Sequence, residues 1–289
     1  MAESPITFDT VDLPGCRLHL AEAGPADGPP VILLHGFPEF WFGWRHQIPA
    51  LAAAGLHLLV PDQRGYNLSG KPAGLAPYHL DRLAADVLAL ADARGIGRFR
   101  LVGHDWGGLV AWWLASHHPE RLERLAILDA PHPGIVDAYV RRHPGQWLRS
   151  WYVGFFQLPR LPEAYLLARG GAPLRRALVR TSAPGTFDEA ELARYARAWA
   201  QPGAMTAMLG WYRALMRLPR RPAPRVEAPT LVLWGRRDHA LQPGLAEASL
   251  ALCARGRLLA LPEAGHWLQH EASARVNAAL AEFLTAPAP

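Results

Sequence analysis

Short apolar runs alternate with longer amphipathic stretches through the first half of the chain. Runs rich in Val, Ile and Leu at 7–13, 17–23, 31–34, 56–60, 99–102 and 125–128 predict strands. Between them, 42–53, 79–94 and 107–117 carry helical spacing. Strands that are almost continuously apolar are buried on both faces, so the pattern predicts an α/β fold with a mostly parallel sheet between helices. The alternation breaks at Pro131-His132-Pro133-Gly134, and no convincing strand follows until about Arg221. That stretch is helical in composition and rich in Trp and Tyr. Strands then resume at 230–234 and 257–261, making eight, with helices at 245–254 and 272–283. A helical block set between two sheet segments predicts a cap over the strand ends. The expected division is a core of 1–133 and 222–289 with a cap at 134–221.

Composition narrows the class. Half of the 289 residues are hydrophobic and 19% are charged, enough for a large core and too apolar for disorder. The start lacks a signal-peptide pattern, and no run of eighteen apolar residues occurs. The two cysteines, Cys16 and Cys253, lack metal or redox spacing. We therefore expect a cytoplasmic monomer or homodimer without a transmembrane segment. The net charge of +5 does not imply nucleic acid, because the arginines form no basic run interleaved with aromatics. Their distribution is uneven: 134–221 holds fourteen arginines and five acids, a net +9, against −4 elsewhere. A solvated face is the plain reading, and steering of an anionic substrate or membrane surface the sharper one.

The strongest chemical signal is Leu101-Val102-Gly103-His104-Asp105-Trp106-Gly107-Gly108, after a predicted strand and opening a predicted helix. Glycines there permit the sharp strand-to-helix turn that presents a nucleophile, with Asp105 where many hydrolases place serine. The bland alternative makes Asp105 a helix cap. A carboxylate that attacks saturated carbon leaves an ester that water can cleave, so the expected electrophile is an sp³ carbon bearing a leaving oxygen or halide. His266, in Gly265-His266-Trp267 after the last strand, is the candidate general base. Asp238 is the favoured acid partner on chain order, and Asp129 is the other candidate. The backbone N–H groups of Phe37 and Trp106 are the expected oxyanion donors. His35 and His104 read as structural.

Taken together, the chain resembles the α/β-hydrolase-fold epoxide hydrolases from about residue 6 to 284. The matching segments are His35-Gly36-Phe37-Pro38-Glu39, Trp44-Arg45-His46-Gln47-Ile48-Pro49, Asp62-Gln63-Arg64-Gly65-Tyr66-Asn67-Leu68-Ser69, the Asp105 turn and Gly265-His266-Trp267. The resemblance implies hydrolysis of an epoxide to a vicinal diol through an Asp ester, without metal or organic cofactor. It also implies two cap tyrosines that hydrogen-bond the epoxide oxygen, matched here by Tyr152 and Tyr212; core packing is the alternative for each. An apolar or aromatic small-molecule substrate is expected, with Pro38, Trp151, Phe156, Trp211 and Trp267 as pocket candidates. Haloalkane dehalogenases share the Asp/His machinery and are the runner-up, though Phe37 stands where many of them place a halide-holding asparagine. Haloacetate dehalogenases usually carry arginine where Trp106 stands. A non-catalytic receptor on the same scaffold would be expected to have lost Asp105 or His266, and both are present.

Overall fold

The sheet begins with an antiparallel hairpin, β1 (Thr7–Leu13) and β2 (Cys16–Ala23), at one edge. Six mutually parallel strands follow: β3 (Pro30–Leu34), β4 (His57–Pro61), β5 (Phe99–His104), β6 (Leu122–Leu128), β7 (Thr230–Gly235) and β8 (Gly256–Leu261). The computed structural model describes residues 5–219 and 221–287. Strand order is β1-β2-β4-β3-β5-β6-β7-β8, with β2 antiparallel to β4. The chain therefore steps outward from β3 to β4 and then returns to β5 on the other side of β3. In an open α/β sheet that reversal leaves a crevice at the carboxyl ends of the strands beside it.

Alternate strand residues feed opposite faces, as the two-residue period of a strand requires. Val31, Leu33, Val102 and Leu231 pack under α1 (Gln47–Ala53) and α12 (Ser273–Thr285). Ile32, Leu34, Leu101 and Val232 pack under α2 (Leu80–Ala93) and α3 (Asp105–His117). The helix expected over 42–53 is instead a 3-10 turn at Trp41–Trp44 followed by α1. Pro49 explains the break, since a residue without an N–H fits only the first turn of a helix, here one beginning at Gln47. Cys16 and Cys253 are free, buried thiols.

Between β6 and β7 lie α4 (Pro133–Arg142), α5 (Pro144–Arg149), α6 (Trp151–Phe155), α7 (Leu161–Thr181), α8 (Glu189–Trp199) and α9 (Ala204–Arg217). α7 is broken at 168–171, where four residues leave helical geometry and Gly170 and Gly171 take positive φ. Asp188 and Glu191 close a reciprocal capping box at the start of α8. Buried polar bonds tie this layer to the sheet loops: Trp199 donates to the Pro38 carbonyl at 2.6 Å and Trp211 to the Arg64 carbonyl at 3.0 Å. Two further helices complete the fold, α10 (Gly244–Leu250) after β7 and α11 (Leu268–Glu271) after β8. Among the described residues no helix is long and apolar enough to cross a membrane.

Candidate active site

Asp105 is the first residue of α3 and sits at φ +48°, a left-handed conformation that costs a residue with a side chain roughly 1–3 kcal/mol. The surrounding sequence makes that turn possible. A Cβ on Gly107 would lie 2.6 Å from the His35 carbonyl oxygen, and one on Gly36 would lie 2.7 Å from Asp105 Oδ1. Only a chain without side chains at both points lets the β3 loop and α3 close around the carboxylate. The Phe37 amide then donates to Asp105 Oδ1 at 2.8 Å. The Trp106 amide stands in the first turn of α3, where helical N–H groups have no intrahelical acceptor. One expected oxyanion donor, the Phe37 amide, thus already meets the carboxyl group, and the other follows it in the chain.

The loops after β7 and β8 supply the next two groups. His266 Nε2 stands 3.7 Å from Asp105 Oδ2, and its Nδ1 is 2.8 Å from Asp238 Oδ2. Asp238 is itself held, because its Oδ1 accepts from the amides of Ala240 at 2.6 Å and Leu241 at 2.9 Å. Burial alone would lower the His266 pKa. Asp238 outweighs it, with help from Asp105 and Asp129, and the ring is pushed up to about 10.

The structure places Asp238, not Asp129, on the imidazole. Asp129 lies behind the pair at φ +39°, with Oδ1 accepting from the Gly235 amide at 2.9 Å. Its Oδ2 is buried without a hydrogen-bond partner, although one ligand-type atom from each of Asp129, Asp238 and His266 lies within 4.8 Å of the others. Burial, reinforced by the Asp238 charge, raises its pKa well above the usual carboxylate range.

Tyr152 of α6 and Tyr212 of α9 line the same cavity as Asp105, with ring centroids 6.1 Å apart. Burial, and next the Asp105 charge, raises both phenol pKa values, so both rings keep their protons and remain donors. Tyr212 is packed against Phe37, Trp106 and Phe156. The cavity holds about 330 Å³. Pro38, Trp151, Phe156 and Trp267 are in its wall, as expected from sequence.

Trp211 is not, which corrects the sequence expectation. It is fully buried, stacked edge-on against Trp106 and Tyr66. α9 turns Tyr212 into the cavity and packs Trp211 onto Trp106, Tyr66 and the Arg64 carbonyl. The far wall comes instead from α7, through Leu174, Leu178 and Thr181. Their spacing of four and three was the available signal, and it reads equally well as plain core.

Glu39 was quoted only as part of a motif, yet it anchors the site from beneath. Its buried carboxylate accepts from Tyr195 Oη at 2.6 Å and Gln269 Nε2 at 2.9 Å, and lies 2.8 Å from His270 Nε2. Burial opposes ionisation there, but His270 and His104 hold the Glu39 pKa well below the usual range. His104 in turn reaches the His266 carbonyl at 2.9 Å. His35 accepts from the Gln63 amide at 3.0 Å. Both histidines are taken up by structural bonds.

Comparison with known proteins identifies the family of the chain. Residues 29–273 match the family of the alpha/beta hydrolase fold. The chain is 44% identical over 275 residues to the AB hydrolase superfamily protein YfhM of Bacillus subtilis, covering 95% of this chain and 96% of that one. It is 35% identical to mouse epoxide hydrolase 4 over 93% of this chain and 77% of the relative. Among solved structures, an epoxide hydrolase of Bacillus megaterium, complexed with its naphthyloxy-propanediol product, superposes with a TM-score of 0.87 at 28% identity. That match covers 96% of this chain and all of the other.

Proposed function

From the premise that the chain belongs to the epoxide hydrolases of the α/β-hydrolase fold, we propose that it opens apolar or aromatic epoxides through a covalent ester on Asp105. Residues 134–221 serve as its cap, on a core of 1–133 and 222–289. One observation carries the reading: a carboxylate with a histidine base 3.7 Å away and two protonated phenols line one apolar cavity. The diol held by the Bacillus megaterium enzyme is of the product class this site would release.

In the first step an Asp105 oxygen forms a bond to an epoxide carbon as the ring C–O bond breaks. The alkoxide takes a proton from Tyr152 or Tyr212, whose phenols sit where that charge develops. Asp105 loses its charge on becoming an ester, which removes one of the carboxylates holding the proton on His266. The ring sheds its proton, which reprotonates the tyrosinate, and becomes a base when the second step needs one. His266 then takes a proton from water, the hydroxide adds to the Asp105 carbonyl carbon, and the Phe37 and Trp106 amides hold the resulting oxyanion. Collapse breaks the ester C–O bond, the departing alkoxide takes the proton of the new Asp105 carboxyl group, and the diol leaves with Asp105 ionised and His266 protonated again.

The haloalkane reading is weaker, because Phe37 in the cavity wall offers no side-chain donor to a halide, whereas two phenols line the cavity for an epoxide oxygen. Single-turnover mass spectrometry tests the proposal. His266→Gln is expected to accumulate a substrate adduct on Asp105, while Asp105→Asn forms none. No adduct in a folded His266→Gln protein, across styrene-type, aliphatic and fatty-acid epoxides, refutes the two-step route.

A further inference from the structure

The outer surface of the helical layer carries an apolar patch that the chemistry inside the cavity does not use. Among the described residues, seven of the eleven large apolar side chains that are exposed fall within residues 147–167. Trp147 is 67% exposed, Leu148 66%, Trp151 70%, Leu161 56% and Tyr165 53%. Indole rings of that size are rarely left in water without a role, and contiguous exposed apolar area marks a contact surface. The patch is continuous with the cavity: Trp151 and Tyr165 line the cavity and are also exposed, so the mouth opens within it.

Charge identifies what this surface meets. Arg141, Arg142, Arg160 and Arg169 are exposed around the patch. The sole acid between residues 138 and 187 is Glu163, and it is paired with Arg213 at 2.6 Å. Exposed Trp and Leu in a stretch that carries exposed arginines and, apart from Asp137 one turn before Arg141, no exposed acid is the composition of a segment lying in the interface of an anionic bilayer. The rings enter the headgroup region while the guanidinium groups meet phosphate. A second copy of the chain fits less well, because a two-fold contact would set these arginines against themselves.

We propose that the face formed by α5, α6 and the start of α7 docks the protein on an anionic lipid surface, with the cavity mouth directed at the lipid. Delivery of a lipid-dissolved epoxide rests on the functional reading above; docking itself does not.

The test uses the full chain and no catalysis. Co-sedimentation with phosphatidylglycerol vesicles at low ionic strength is expected to deplete the protein from solution. Phosphatidylcholine vesicles are expected to bind at least tenfold less, and 0.5 M salt to release the bound protein, given a screening length of roughly 3–8 Å at such concentrations. Trp147→Ala/Leu148→Ala lies outside the cavity wall and is expected to weaken binding at least tenfold at an unchanged melting temperature. Arg141→Glu/Arg142→Glu is expected to do the same through charge alone. Failure to bind phosphatidylglycerol, equal binding to both lipids, or undiminished binding by both variants overturns the proposal. So does sedimentation velocity showing a dimer that Trp147→Ala/Leu148→Ala dissociates, which would assign the patch to self-association.

Discussion

Replacing His266 by Gln removes a charge that the folded protein holds and the unfolded chain gives up. The native ring sits between Asp238 and Asp105, with Asp129 behind, and its pKa is raised from 6.5 to about 10. A group whose folded pKa is raised contributes stability that is fully present below its unfolded pKa, here 6.5. That stability is lost as pH climbs through the folded value near 10. The interval, at 1.36 kcal/mol per pH unit, sets an upper bound of ~5 kcal/mol. Asp105 faces the cavity and can be rehydrated once the imidazolium is gone, so about 2–5 kcal/mol is the expected range. Urea unfolding of both proteins at intervals from pH 6 to 10 measures it. The wild-type advantage should shrink by that amount across the interval, whereas groups shared by both proteins cancel in the difference. A difference constant to within about 0.5 kcal/mol, the usual error of such comparisons, would show that the resting site holds neutral histidine.

Three further outcomes follow from the geometry. Tyr152→Phe/Tyr212→Phe removes both donors facing Asp105 and should slow epoxide opening by roughly 10²–10⁴-fold in single-turnover kinetics, with Tyr212→Phe alone nearer the lower figure. Asp129→Asn should leave ester hydrolysis near the parental rate, while Asp238→Asn slows it. Burial raises the Asp129 pKa on folding, so its charge weakens the fold as pH rises above 3.8 and the Asn variant should gain on the wild type there; thermal melts across pH check the sign. Tyr195→Phe leaves one Glu39 oxygen short of a donor in a buried site. It should lower stability by about 1–3 kcal/mol in urea titration.

Much of this site is legible one strand at a time. Turns between parallel strands and helices are local, so Gly103, Asp105, Gly107 and Gly108 announce a strained nucleophile turn from sequence. The strand periods likewise predict which loops share the crevice, and hence that Phe37, Asp105 and His266 meet. Choices between neighbours are different. Asp129 and Asp238 both follow strands; chain order favours Asp238, and the rotation of each carboxylate puts Asp238 on the imidazole and leaves Asp129 with a buried, unpartnered oxygen. Trp211 and Tyr212 are consecutive aromatics on one helix, and which of them enters the cavity depends on how α9 rolls against Trp106 and Arg64. The α7 wall and the Glu39 cluster join residues more than a hundred positions apart. Their partners are set by packing between layers, which local pattern does not encode. Sequence alone determined the turn, the order of the chemistry and the sheet. Tertiary packing decided which side chains face inward, because a helix's rotation about its axis depends on everything it touches.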